Sequence, residues 1–175
     1  MISKCSFLYQ PKVQHGKVIG AEALLRIPGV SNIEDYISFI SNKPLFDYTV
    51  IKKVLLERRS YQEYMGMSFP VSINMSIQSL ESDFFVEKVS KLLVNESDII
   101  FEITENDNYL SLNCVKNSMA KIKSLGVKFS LDDFGKGFSD IEHVLALDFD
   151  EIKIDGSLVK NIEITFIAID ILNTY

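Results

Sequence analysis

Asp132 and Asp133 stand side by side where the apolar run Val127–Leu131 ends, and the chain passes at once into Phe134-Gly135-Lys136-Gly137. Val127, Phe129 and Leu131 alternate with Lys128, Ser130 and Asp132, the period-two pattern of a strand with one apolar face. Paired carboxylates at a strand end repel one another, and burial disfavours the charged form of both. A divalent cation resolves both problems. A solvated strand end followed by an Asp-rich turn gives the same residues without a metal. Taken alone, this stretch favours the solvated turn over the metal site.

The same design recurs along the chain. Gly20–Ile27 carries Glu22, Leu24 and Arg26 on one alternating face. Val71–Met75 places Asn74 beside Ser72, opposite Val71, Ile73 and Met75. Ile99–Thr104 places Glu102 and Thr104 opposite Ile99, Phe101 and Ile103, and Glu151–Asp155 places Lys153 and Asp155 opposite Ile152 and Ile154. A half-solvated antiparallel sheet produces such alternation too. Here, however, acids, an amide and a lysine fall late in their strands, mostly just before helix-like segments. That is the layout of a β/α barrel, whose chemistry gathers at the carboxyl ends of the strands.

The elements that must position these groups follow from periodicity and turn residues. Phe7–Val13 and Val18–Ile27 predict a hairpin across Gln14-His15-Gly16-Lys17, and Pro28-Gly29 ends the second strand. Helices are expected over Asn32–Ser41, Asp47–Tyr61, Leu80–Val94 and about Leu112–Leu125, with a short one near Asp140–Leu147. In the second of these Lys52, Lys53, Glu57, Arg58 and Arg59 read as largely solvated, and Ser82 or nearby acids cap the third. Strands and helices therefore alternate after an opening hairpin, which predicts an α/β fold with a mostly parallel sheet. Six strands are counted and no linker divides residues 1–175, so one domain is expected.

Composition narrows the function. A chain of 175 residues with 47% hydrophobic residues has a real core. A net charge of −6 argues against broad binding of duplex nucleic acid through its phosphates, but not against a small anionic substrate beside bound metal. Cys5 and Cys114 form no paired metal motif, and the lack of clustered His or Cys argues against zinc. Two cysteines in a chain this size read as ordinary reduced thiols, so a cytoplasmic setting is expected. With no signal-like start and no run long enough to span a bilayer, no membrane partner is expected.

Glu22-Ala23-Leu24-Leu25-Arg26 resembles the signature of the EAL family of cyclic di-GMP phosphodiesterases. Five further blocks match in order: Tyr9-Gln10-Pro11, Asn74-Met75-Ser76, Glu102-Ile103-Thr104-Glu105, Asp132-Asp133-Phe134-Gly135 and Lys153-Ile154-Asp155. The resemblance implies a modified TIM (β/α) barrel with an antiparallel first strand, hydrolysing cyclic di-GMP to the linear pGpG with two Mg²⁺ or Mn²⁺ ions. It implies that Glu22, Asn74, Glu102 and Asp132 ligate one metal and that Asp132 and Asp133 hold the second. Lys153 falls where the family has a lysine near the attacking water, and Glu105 where a glutamate steadies the loop after the Asp-Asp pair. Gln10 and Arg26 match positions facing the substrate. Singly, each has an ordinary reading: Arg26 a surface ion pair, Lys153 a solvated strand residue, Glu105 a helix cap, Asn74 a turn residue.

The sequence also departs from the family. Lys136, Phe138 and Asp140 replace commoner residues in the glycine turn, and Asp148 replaces a frequent proline. After Val159 the family continues with two more strands carrying a Glu-Gly-Val-Glu-like block and a glutamine, and Ile164–Tyr175 contains neither. A closed barrel typically takes about 250 residues. The expectation is thus an EAL-type domain incomplete at its C-terminus, whose open sheet a second copy or a regulatory protein would cover. Two functions follow. One is phosphodiesterase; the other is an impaired or inactive module acting by nucleotide or protein binding.

Overall fold

The computed structural model describes residues 5–66, 68–104, 109–135 and 146–157. Glu105, Lys136, Phe138, Asp140, most of the helix expected near Asp140–Leu147 and the segment after Ser157 lie outside the described residues. Six strands form one sheet in sequence order: β1 (Ser6–Gln14), β2 (Lys17–Arg26), β3 (Val71–Asn74), β4 (Ile99–Thr104), β5 (Lys128–Phe134) and β6 (Glu151–Ile154). β1 pairs with β2 antiparallel and every later pair is parallel. The predicted hairpin is present, with His15 at φ 49° and Gly16 at φ 74° in its turn. Helices α1 (Ile33–Ser38), α2 (Lys43–Met65), α3 (Asp83–Leu93) and α4 (Leu112–Lys123) connect the later strands.

Local signals set the helix boundaries, and α1, α2 and α3 differ from expectation, α1 ending at Ser38 and not Ser41. Asn42 accepts a hydrogen bond from the Leu45 amide, with Pro44 in the first turn, so α2 begins before Asp47. The helix expected from Leu80 is instead a 3₁₀ turn over Ile77–Glu81 and then α3, because Ser82 breaks the run and caps α3 at the Phe85 amide. α1 is capped by Asn32, and Gly126 takes φ 89° just after α4.

One face of the sheet is apolar and packs under the helices. Ile73, Phe101 and Phe129 are fully buried there with Val54 of α2, Val89 of α3 and Met119 of α4. The Phe101 and Phe129 rings meet edge to face at 5.8 Å. The other face carries the alternate residues, among them Lys12, Glu22, Ser72, Asn74, Glu102, Ser130 and Lys153. One expectation fails on the helical side. Arg58 is not solvated but buried, and its guanidinium donates to Glu96, Ser68, Phe69 O and Ser97 O. Among the described residues no helix is long and apolar enough to cross a membrane.

Candidate metal and active site

Register brings the predicted residues together. Glu22 lies level with Ser72, Asn74 with Glu102, and Thr104 with Asp132. Because β2 to β5 are parallel, all of these face one end of the sheet. Asn74 Nδ2 donates to Glu22 Oε1 at 2.9 Å. The turn that follows Asn74 is fixed from α2: buried Asp47 accepts from the Ser76 amide at 2.9 Å and from Ser79 Oγ at 2.6 Å.

Adjacent strand residues normally point to opposite faces, so Asp132 and Asp133 should diverge. A bulge prevents this. Leu131 pairs with Ile152 and Phe134 with Ile154, so β5 has one residue more than β6 between these pairs. Asp133 takes the left-handed conformation at φ 58°, and its amide donates to Asp132 Oδ1 at 3.0 Å. Both aspartates consequently line the same cleft of about 600 Å³, together with Glu22, Arg26, Asn74 and Glu102.

At the centre, Glu22, Glu102 and Asp132 each place one carboxylate oxygen within 4.8 Å of the others. Lys153 Nζ lies 2.6 Å from Glu102 Oε2, 3.1 Å from Glu22 Oε2 and 3.4 Å from Asp132 Oδ2. Burial raises the Asp132 pKa, and the Glu102 and Asp133 charges add to this against the opposing pull of Lys153 and the Asp133 amide. Burial pulls the Lys153 ammonium down, but the Glu102 hydrogen bond and the charges of Glu102, Glu22 and Asp132 outweigh it, and its pKa is raised. Hard oxygen donors, converging and carrying more negative charge than Lys153 neutralises, fit a divalent cation such as Mg²⁺ or Mn²⁺.

The substrate-side residues are less gathered. Arg26 lines the cleft but is exposed, and its guanidinium donates to Leu25 O at 2.8 Å. Gln10 is exposed on β1 directly across from Glu22, outside the cleft lining. Lys12 was not predicted, yet its ammonium reaches Glu102 Oε1 at 2.8 Å. The signal was present in the alternation of β1, since Lys12 follows Gln10 on the face shared with Glu22.

A parallel β/α sheet opened by an antiparallel strand, with carboxylates converging at one end, defines a barrel-type domain with a cation-ready acidic centre. The chain belongs to the EAL domain family, whose model matches residues 3–168. It is 35% identical over 130 residues to cyclic di-GMP phosphodiesterase PdeA of Borreliella burgdorferi, covering 70% of this chain and 19% of that protein. The PaMucR phosphodiesterase in complex with c-di-GMP superposes with a TM-score of 0.73 at 25% identity, over 95% of this chain and 74% of that one. Klebsiella pneumoniae BlrP1, in a calcium and cyclic di-GMP complex, shares the fold with a TM-score of 0.75 at 22% identity, over 95% and 44% of the two chains. The chain spans less than a third of the length of the curated relatives it matches.

Proposed function

We propose that residues 1–175 act as one EAL-type unit that hydrolyses cyclic di-GMP to pGpG in the cytoplasm. The observation that carries this reading is the convergence of Glu22, Glu102 and Asp132 around Lys153 at the strand ends. In this reading Glu22, Asn74, Glu102 and Asp132 hold one divalent ion, and Asp132 with Asp133 holds a second. Bound ions supply Lewis acidity at the attacked phosphate.

The protein's own groups do the rest. Lys153 orients the attacking water and offsets negative charge that grows in the transition state. Arg26 turns from Leu25 O to a phosphate oxygen, which suits its fork geometry. Gln10 contacts the nucleotide from β1, and Glu105 steadies the segment after Asp133. Water adds across one P–O bond, leaving one phosphate monoester and one free hydroxyl on the opened dinucleotide.

The test is incubation of the protein with cyclic di-GMP and Mn²⁺, followed by chromatography, with Glu22→Ala alongside. Formation of pGpG that disappears in the variant is expected. Folded protein that yields no product at high concentration removes the hydrolytic reading and leaves nucleotide binding as the activity to measure.

A further inference from the structure

Lys12 reaches the acidic centre from the far side of the sheet order. β2 and β3 lie between its strand and β4, yet Lys12 Nζ sits 2.8 Å from Glu102 Oε1 and 2.5 Å from Ser72 Oγ. The route is open because its partner on β2 is Gly20, which has no side chain to stand in the way. Only glycine fits there: a Cβ on Gly20 would meet the Pro70 carbonyl oxygen at 2.9 Å. Lys12 does not line the cleft, and its partner on β2, Gly20, precedes Glu22 by one position on the same face.

The two oxygens of Glu102 are thereby divided. Oε1 belongs to Lys12, while Oε2 lies at 2.6 Å from the Lys153 ammonium that also touches Glu22 Oε2 and Asp132 Oδ2. Oε2 is therefore the oxygen that converges with the other carboxylates. Glu102 is about 1% exposed, so its contact with Lys12 is sheltered from bulk solvent on the Glu102 side.

We infer that Lys12 is a positioning residue that withholds Glu102 Oε1 from the metal and makes Glu102 a one-oxygen ligand, tuning the site towards small octahedral cations and away from Ca²⁺. The inference rests on the metal site proposed above. Its chemistry is general. Mg²⁺ takes six ligands at about 2.0–2.1 Å in near-ideal octahedra, whereas Ca²⁺ takes 6–8 oxygens and accepts both oxygens of one carboxylate. Mn²⁺ also suits an octahedral oxygen site. Ser72 anchors the lysine so that Glu102 cannot swing Oε1 round.

The measurement is a ratio. Removing Lys12 takes away a positive charge and raises affinity for every divalent cation, but that effect is common to Ca²⁺ and Mn²⁺ and cancels between them. The change from one oxygen to two does not cancel. Metal-stripped wild type, Lys12→Met, Lys12→Gln and Ser72→Ala are titrated calorimetrically with Mn²⁺ and with Ca²⁺, without nucleotide, and each is melted in EDTA to verify folding. The ratio Kd(Ca²⁺)/Kd(Mn²⁺) should fall about tenfold in Lys12→Met, the scale of an outer-shell substitution at a metal site. Ser72→Ala and Lys12→Gln should shift it in the same direction by less, and they decide the matter if Lys12→Met does not fold. An unchanged ratio in the folded variants overturns the role of Lys12 while Glu102→Gln, by abolishing binding, still upholds the site. Wild type that binds neither ion overturns this inference together with the site on which it rests.

Discussion

Arg58 and Glu102 are equally buried, each about 1% exposed, but their surroundings differ in kind. Arg58 donates to Glu96 Oε2, Ser68 Oγ, Phe69 O and Ser97 O, and Glu96 fills its other oxygen with Arg59 at 2.6 Å. That cluster is closed: a carboxylate with both oxygens occupied, and a guanidinium with partners on three sides. It ties α2 to the chain segments entering β3 and β4. Around Glu102, three carboxylates meet the ammoniums of Lys153 and Lys12, and Asp133 adds a further charge at the cleft. The carboxylates outnumber the ammoniums there, and the Asp132 pKa is raised, first by burial and then by the neighbouring charges of Glu102 and Asp133. A buried charge whose partners are complete serves as scaffold, whereas a converging set with surplus negative charge has the chemistry that a divalent cation would satisfy.

The sharpest break in this comparison comes from Arg58→Ala. Removing one partner of a buried pair leaves Glu96 and two carbonyls behind, which costs about 3–5 kcal/mol of stability. Urea unfolding in EDTA should show that loss. A loss under about 1 kcal/mol would make Arg58 an ordinary surface-type pair and dissolve the contrast.

Asp132→Asn should behave in the opposite way. Turnover in the proposed hydrolysis of cyclic di-GMP should fall roughly 10²–10³-fold, the scale seen when one preorganised electrostatic group is removed from a catalytic site. Stability in EDTA should hold or rise, because the amide no longer repels Glu102 and Asp133. A large drop in the unfolding midpoint would place Asp132 among the scaffold charges instead.

Metal addition sharpens the contrast further. Mn²⁺ at a hundredfold excess over its Kd should stabilise wild type by about 2.7 kcal/mol through linkage. The increment should survive in any Arg58 variant that folds and vanish in Asp132→Asn. An Asp132→Asn protein stabilised as much as wild type would mean that Mn²⁺ binds elsewhere.

The contrast also explains what the sequence disclosed. The strand faces of Glu22, Asn74 and Glu102 were legible from period-two alternation, and the parallel register brings those strand ends to one side; their proposed ligand roles came from the family resemblance. The hairpin and the order of elements followed from turn residues and from the switch between the two periods. Arg58 was misread because a charged residue in a run of Lys, Glu and Arg looks solvated. Its burial depends on Ser68, Phe69, Glu96 and Ser97, which are local to it only in the fold. Asp133 needed the β5 bulge, and no local residue pattern announces one extra residue in a parallel strand. Lys12 lay on the correct face, but its reach across two strands depends on Gly20 and on the curvature of the sheet.

The smallest effect concerns a third charge group, set at the surface between the other two in completeness. Asp150 accepts from the Phe129 amide at 2.8 Å and lies 3.0 Å from Lys123 Nζ, which also holds Asp148 at 2.7 Å. Burial pushes the Asp150 carboxyl up, but the Phe129 amide and the Lys123 ammonium outweigh it and hold its pKa below the ordinary value. Burial likewise pulls Lys123 down, and Asp148 and Asp150 outweigh it upwards. A depressed carboxyl stabilises the fold above its unfolded value, near 3.9, and loses that contribution as pH falls through the folded value. A raised lysine stabilises below its unfolded value, near 10.4, and loses the contribution as pH rises through the folded one. The stability difference between wild type and Asp150→Asn should therefore be level across neutral pH. It should shrink below about pH 4 as Asp150 takes up its proton. Salt should reduce the part due to Lys123, because both partners are partly solvated, and leave the part due to the Phe129 amide. A difference that stays constant from neutral pH down to strong acid would assign the effect to side-chain shape, and Asp150 would then belong with neither kind of charge.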